Sequence, residues 1–287
     1  MERYPGDDVK VMHQGIVYII GGKKYAKLAL ASVLSLRKNG GRASNSVIQI
    51  HFMGKFEFKE QFEKFDCICI KHSSDKTSHS VHRKLKSSIM QNIEFDRYIM
   101  IDADTFVQGD FYDMFDLIPE NGVASIEDGN FENHLQMAKF LFLTKHADKK
   151  NVRNIVKEML GVDYGLEEKF PPYYNVGVIG FSSYASKIIG RELLPLLEKL
   201  SSDNRYNPHD EQLPMNAIMH LNNIQGAIID PVYNYTRSRM KKNKKLDIHD
   251  NIKENIRIIH NRRYENESDW IDFSPIKKEL EKLIGNS

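Results

Sequence analysis

The start of the chain changes from a continuous apolar run to apolar residues at helical spacing. Residues 15–22 (GIVYIIGG) are apolar and close with two glycines, which predicts a buried strand followed by a turn. Residues 25–38 then carry apolar side chains at positions 28, 30, 33, 34 and 36, which is helical spacing, and the sequence Asn39, Gly40 and Gly41 ends that predicted helix. We therefore expect a strand and a helix that pack against the same core.

The same two patterns continue to the end of the chain. Further strands are predicted at residues 46–53, 65–71, 98–101, 123–126, within 171–181, 227–231 and 257–260, and further helices at 57–64, 80–92, 131–160, 188–200, 210–220 and 275–284. Strands that alternate with helices indicate an α/β fold with a mostly parallel central sheet flanked by helices. Because there is no internal repeat and no long Pro/Ser linker, we expect a single domain over residues 1–287.

Two carboxylates follow the predicted strand at residues 98–101. The sequence Tyr98-Ile-Met-Ile-Asp102-Ala-Asp104-Thr105 places them where a buried strand ends, with one residue between them. They can converge on a hard metal ion, which takes oxygen ligands and is commonly shared with substrate phosphates. Aspartate also suits turns and helix N-caps, so the pattern alone leaves a structural role open.

Composition excludes several classes of protein. The formal net charge is only +2, which argues against a nucleic-acid-binding protein, and the one basic run, at residues 237–245, reads as a solvated loop or as a cover for a phosphate-bearing ligand. No stretch approaches the ~20 apolar residues that a membrane span needs, and the N-terminus has no signal-peptide core. Cys67 and Cys69 lack a metal-binding or redox spacing, so we expect buried thiols and a cytoplasmic protein.

Six motifs, in order along residues 15–263, together resemble one enzyme family. They are Tyr25 with residues 32–36, Arg83-Lys84-Leu85, residues 95–107 with 111–115, Tyr174-Asn-Val-Gly-Val178, Asp210-Glu-Gln212 and Ile258-Ile-His260. The set resembles the GT-A fold glycosyltransferases, and most closely glycosyltransferase family 8, which includes glycogenin and galactinol synthases. The resemblance implies a nucleotide-binding half at about residues 12–127 and a half for the acceptor and donor sugar at about 128–287.

The resemblance also implies a metal-dependent site for a nucleotide-sugar, and a UDP-sugar is the donor that it implies. Asp104 and His260 would be direct metal ligands, with Asp102 as a third ligand or a ribose contact. Mn²⁺ is the implied ion, because a site that mixes carboxylates with imidazole suits it better than Mg²⁺, although Mg²⁺ stays possible. Without the resemblance, His260 would read as a structural histidine on a short strand.

Other residues would surround the donor. Tyr25 would stack on the base, Lys84 would add positive charge, Ala103 would line the nucleotide site, and Asp128 would hold sugar hydroxyls. The chain departs from the family after His260, where the family's glycine and lysine are absent. Arg262 or Arg263 can supply that missing cation, since arginine pairs well with phosphate.

The reacting sugar would lie beside Asn175, Asp210 and Gln212. Asn175 also reads as a turn residue and Asp210 as a helix N-cap. The family retains the anomeric configuration, so we expect retention by a front-face transfer in which the departing phosphate takes the proton of the acceptor. Asp210 as a transient nucleophile, or Glu211 as the base of an inverting enzyme, are the alternatives. The expected acceptor is a glycan, a glycoprotein or a small-molecule hydroxyl, and the oligomeric state is open.

Three other functions compete with this interpretation. A phosphatase of the haloacid dehalogenase type also places two aspartates after a strand, but Phe106 stands where that family has threonine or valine. A sugar nucleotidyltransferase would need a glycine-rich opening loop that residues 21–25 do not match. A non-catalytic relative that binds nucleotide-sugars or glycans would show binding without turnover.

Overall fold

The computed structural model describes residues 13–72, 79–127, 154, 157–162, 172–202, 211–236, 254–260 and 274–285. The strands within these ranges are β1 (Gln14–Gly21), β2 (Val47–Met53), β3 (Cys67–His72), β4 (Arg97–Ile101), β5 (Thr105–Val107), β6 (Gly122–Glu127), β7 (Tyr174–Ser182), β8 (Gln225–Ile228), β9 (Tyr235–Thr236) and β10 (Ile258–His260). The helices are α1 (Gly22–Asn39), α2 (Lys59–Glu63), α3 (His79–Asn92), α4 (Ser183–Ser201), α5 (Gln212–Leu221) and α6 (Ser274–Ile284).

The central sheet has seven strands in the order β3-β2-β1-β4-β7-β6-β8. Neighbouring strands are parallel except at β7, which runs antiparallel to both β4 and β6. The predicted α/β fold with a mostly parallel sheet is therefore confirmed. Because β7 is reversed, its beginning lies beside the end of β4, where Ile101 pairs with Val178.

Helices cover both faces of this sheet, which explains the continuous apolar runs of its strands. Alternate residues of β1 point to opposite sides. Ile16, Tyr18 and Ile20 pack in a cluster that contains the buried face of α1, whereas Val17 packs in a second cluster with α4. The observed elements agree with most of the predicted ones. The predicted strand at 227–231 was misplaced, because β8 ends at Ile228 and Pro231 begins a short 3-10 turn.

A second, three-stranded sheet has the order β5-β10-β9. Of its strands only β10 was predicted, at residues 257–260; β5 and β9 have three and two residues, which is too short for a periodic signal. Antiparallel pairing in this sheet places His260 opposite Thr105, directly after the two aspartates. The small sheet therefore joins the C-terminal part of the chain to the end of β4.

Some predictions fall outside the described residues. They are most of the helix at 131–160 and the basic run at 237–245. Across the part of the chain that the structure describes, no helix combines the length and the apolar character needed to cross a membrane.

Candidate active site

A cleft of about 680 Å³ opens at the carboxyl ends of β1 and β4. In a sheet of this type, ligands bind beyond the carboxyl ends of the strands. The polar residues that line the cleft include Tyr25, Lys86, Asp102, Asp104, Glu211 and His260. The cleft thus combines an aromatic side chain, a lysine and an acidic group with a histidine.

Asp102, Asp104 and His260 form a compact group in this cleft. One ligand atom from each side chain lies within 4.8 Å of the other two. The Nε2 atom of His260 is 3.2 Å from Oδ1 of Asp104 and 3.8 Å from Oδ2 of Asp102. Two carboxylates and an imidazole are a donor set that suits Mn²⁺ and related divalent ions. The predicted metal ligands are therefore brought together, and their chemistry fits the implied ion.

Buried hydroxyl groups hold the turn that carries the aspartates. The hydroxyl of Thr105 donates to the carbonyl oxygen of Asp102 over 2.9 Å, and its oxygen lies 2.7 Å from the hydroxyl of Ser32 on α1. Ser32 in turn lies 2.9 Å from the hydroxyl of Tyr18 on β1. Because this chain of hydroxyls links β1, α1 and the turn, the backbone of Asp102 is fixed by the core.

The carboxyl group of Asp102 has an unusual electrostatic environment. Although 44% of its side chain is accessible from the cleft, protein atoms pack closely around the group. This desolvation raises the pKa of Asp102 above its ordinary value, while the charges of His260 and Lys86 act in the opposite direction. Asp104 and Glu211 add a repulsion that raises it further. The cleft therefore holds negative charge at a cost that a bound cation would remove.

The predicted nucleotide-binding residues Tyr25, Asp102 and Ala103 all line the cleft. Half of the Tyr25 side chain is exposed, so its ring face can accept a flat ligand, and the ammonium group of Lys24 lies 5.9 Å from the ring centroid. These side chains form the wall of the cleft next to β1. Asp128, Asp210 and Arg262, which were also predicted, lie outside the described residues.

Sequence reasoning missed Lys86. Lys84 was predicted instead; it lies on α3, but its side chain is outside the described part. Lys86 lines the cleft, and its ammonium group is 2.8 Å from a carboxylate oxygen of Glu211. The signal was available in the helical spacing: Lys86 is four residues before Met90 and shares its side of α3, and Met90 is buried.

Asn175 and Gln212 meet at the beginning of β7. Asn175 is only 7% exposed, and its Oδ1 accepts hydrogen bonds from the Gly177 N–H over 2.9 Å and from Nδ2 of Asn234 over 2.7 Å. Oε1 of Gln212 accepts from the Val176 N–H over 3.4 Å. These two predicted catalytic residues thus hold the backbone of β7, and neither is among the residues that line the cleft.

Comparisons with known proteins agree with this geometry. The family profile described as Glycosyl transferase family 8 matches residues 17–262. No curated protein sequence matches the chain. The matched range includes the turn of the two aspartates and the strand of His260.

Solved structures show the same fold at low sequence identity. The bifunctional glycosyltransferase WbbM aligns with a TM-score of 0.58 and 15% identity over 97% of this chain, which spans 50% of that protein. The galactosyltransferase LgtC, solved with donor and acceptor sugar analogs, gives a TM-score of 0.58 and 11% identity over 94% of this chain and 96% of its own. Mouse xyloside xylosyltransferase 1 aligns with a TM-score of 0.51 and 14% identity, over 87% of this chain and 97% of its own. All three are glycosyltransferases by description.

Proposed function

Because the chain belongs to glycosyltransferase family 8, we propose that it transfers a sugar from a UDP-sugar to a hydroxyl group, with Mn²⁺ held by Asp102, Asp104 and His260. The observation that carries this proposal is the convergence of these three side chains in a cleft that also offers Tyr25 and Lys86. The single-domain organisation of residues 1–287 is part of the proposal.

The residues of the chain have separable tasks in this reaction. A bound divalent ion supplies Lewis-acid stabilisation of the diphosphate as the sugar–phosphate bond breaks. Asp102 and Asp104 hold the ion, and Asp102 can also contact the ribose. His260 contributes Nε2, the ring atom that faces the aspartates. Tyr25 stacks on the base, and Ala103 lies beneath the nucleotide.

Positive side chains assist the departure of the diphosphate. Lys86 is placed in the cleft to approach it, as Lys84 was expected to do from the sequence. Arg262 is two residues after His260 in the sequence. We assign to it the positive charge that a lysine supplies in the family and that this chain lacks. Charge on the leaving group is stabilised best by donors that are already oriented before the reaction.

The configuration at the transferred carbon is retained in this proposal. Asp210, Gln212 and Asn175 surround the sugar, Asp128 holds its hydroxyls, and the departing phosphate takes the proton of the acceptor. The ion pair between Glu211 and Lys86 argues against Glu211 as the base of an inverting reaction, because a carboxylate next to an ammonium group is a weaker base. The acceptor is a glycan, a glycoprotein or a small hydroxyl compound.

Release of nucleoside diphosphate from a panel of nucleotide-sugars, with and without Mn²⁺, tests the proposal. Turnover of a UDP-sugar that requires Mn²⁺ is expected, and Asp104→Ala should reduce it by about 1000-fold or more, as loss of a catalytic electrostatic group does. The matched control is Asp116→Ala, which removes an exposed aspartate outside the cleft. Full activity of Asp104→Ala would refute the metal assignment.

The same panel separates the rival functions. A non-catalytic relative would bind UDP-sugars without releasing diphosphate, and a phosphatase would hydrolyse simple phosphate esters. A nucleotidyltransferase would consume a nucleoside triphosphate and release pyrophosphate. NMR of the transfer product decides the stereochemistry, and an anomer opposite to that of the donor would overturn retention.

A further inference from the structure

We infer that Gly177 is a positioning residue that holds the two separate parts of the metal group together. The inference rests on the proposed function, since it concerns how Asp102 and His260 are presented to a cation. Gly177 lies in β7 beside the end of β4, the strand that leads into Asp102, and the ring of His260, from the small sheet, lies against it. It contacts both residues in different ways.

The first contact is a backbone hydrogen bond. The N–H of Asp102 donates to the carbonyl oxygen of Gly177 over 2.8 Å. This bond continues the pairing of β4 with β7 by one step beyond Ile101 and Val178. Because it fixes the peptide that leads into Asp102, the first aspartate starts from a defined position on the edge of the sheet.

The second contact is between Gly177 and the imidazole ring of His260, which occupies the space that a side chain at position 177 would fill. A Cβ built on Gly177 would lie 2.1 Å from Cε1, 2.5 Å from Nδ1 and 3.1 Å from Nε2 of His260. The imidazole ring therefore lies directly over the glycine. Any side chain at this position would push the ring, and the ring cannot withdraw freely because His260 is paired on both sides, with Thr105 and Thr236. The space left by the glycine is what brings Nε2 to the aspartates.

A pair of asparagines keeps Gly177 in place. Oδ1 of Asn175 accepts from the Gly177 N–H and also from Nδ2 of Asn234. Asn234 is completely buried and immediately precedes β9, the neighbour of the strand that carries His260. A single amide oxygen thus joins β7 to the small sheet. This assigns Asn175 a positioning role in addition to any contact with the sugar.

Mn²⁺ affinity, measured by electron paramagnetic resonance of the free ion, tests this role without relying on activity. We expect Gly177→Ala to weaken Mn²⁺ binding about 10- to 100-fold, the loss typical of residues that orient metal ligands. The matched control is Gly180→Ala in the same strand. Its new Cβ would lie 2.6 Å from Ile118 Cγ1, so it imposes a similar crowding that does not involve the metal group. Mn²⁺ affinity of this control should be unchanged.

A double-mutant cycle on thermal stability provides the second measurement. Gly177→Ala should lower the Tm in the wild-type background but not in the His260→Ala background, where the ring that it would strike is absent. If Gly177→Ala alone does not fold, recovery of a cooperative transition in the double variant is the same expected result. Equal losses of Tm in the two backgrounds would show that the glycine does not accommodate the ring.

The outcomes distinguish this inference from the proposed function. If wild-type protein binds no Mn²⁺, the proposed metal site fails, and the stability cycle still decides whether Gly177 accommodates His260. If wild-type protein binds Mn²⁺ and Gly177→Ala binds it equally well, the inference is overturned and the metal site stands. Equal weakening by Gly177→Ala and Gly180→Ala would also overturn it, because the effect would then be a general disturbance of β7.

Discussion

A buried pair of histidines at the edge of the sheet should make the stability of this protein depend on pH. His51 on β2 is 5% exposed, and its ring stacks on that of His72 with centroids 5.2 Å apart. Nε2 of His51 lies 3.1 Å from Oε1 of Gln49, and its Nδ1 lies 2.9 Å from Nε2 of His72. Since Oε1 of Gln49 only accepts, Nε2 of His51 carries the proton and Nδ1 accepts from His72.

Protonation of His51 disrupts this arrangement. Burial, followed by repulsion from His72, lowers the pKa of His51 from 6.5 to about 4. The unfolded chain therefore binds a proton at a higher pH than the native protein does. Stability from the neutral pair is fully present above the unfolded pKa of 6.5 and is lost as the pH falls towards about 4. Burial also lowers the pKa of His72, so the second ring adds a change of the same sign.

The pKa shift of His51 sets how much stability the protein loses as the pH falls. At ~1.4 kcal/mol for each unit of pKa, complete titration of His51 would remove at most about 3 kcal/mol. Between pH 7 and pH 5 the same two pKa values give a loss of about 2 kcal/mol from His51, because the native form is still mostly neutral at pH 5. This is a large part of the stability of an ordinary domain.

Chemical denaturation at pH 7 and pH 5 measures this loss. His51→Gln keeps a donor and an acceptor but does not titrate, so its free energy of unfolding should fall by about 2 kcal/mol less than that of the wild type. His13→Gln, which replaces an exposed histidine, is the control and should behave as the wild type. An identical pH dependence in wild type and His51→Gln would refute the reasoning.

Three further results are expected. Thr105→Val removes the hydroxyl that donates to the carbonyl of Asp102, so it should cost about 1–3 kcal/mol of stability and weaken Mn²⁺ binding; unchanged Mn²⁺ affinity would contradict the role of the hydroxyl chain. Lys86→Gln should raise the KM for the donor by about 10-fold, whereas Lys23→Gln, at an exposed position outside the cleft, should leave it unchanged. A KM of Lys86→Gln equal to that of the wild type would exclude Lys86 from donor binding. Chelation by EDTA should stop release of nucleoside diphosphate until Mn²⁺ is added, and turnover that persists in EDTA would remove the metal from the mechanism.

The sheet could be predicted because its strands are buried on both faces. Residues such as Val17 and Tyr18 point to opposite sides of β1 and are both completely buried, which produces the continuous apolar runs. The reversal of β7 could not be predicted, since direction within a sheet leaves no mark in hydrophobic spacing. The small sheet was missed for a related reason: a strand was predicted at 257–260, but its partners β5 and β9 are too short to show any period.

Some residues of the candidate site could likewise be predicted from the sequence pattern, and others could not. Asp102 and Asp104 were recognisable because they end a strand whose burial is visible in the sequence. His260 was predicted only through resemblance to a family, and Lys86, which lines the cleft, was not predicted. The positions of both residues depend on how elements pack. The position of His260 depends on the pairing of β5 with β10, and that of Lys86 depends on the rotation of α3 about its axis.

Two aspartates after a strand form a candidate metal group only when distant parts of the chain meet them. Asp102 directly follows β4, His260 ends a strand of the small sheet, and Gly177 of β7 contacts both residues. A substitution in β7 can therefore separate the ligands while leaving every ligand residue in place. On the proposed function, a variant that keeps both aspartates and the histidine but has alanine at position 177 should therefore bind Mn²⁺ about 10- to 100-fold more weakly than the wild type.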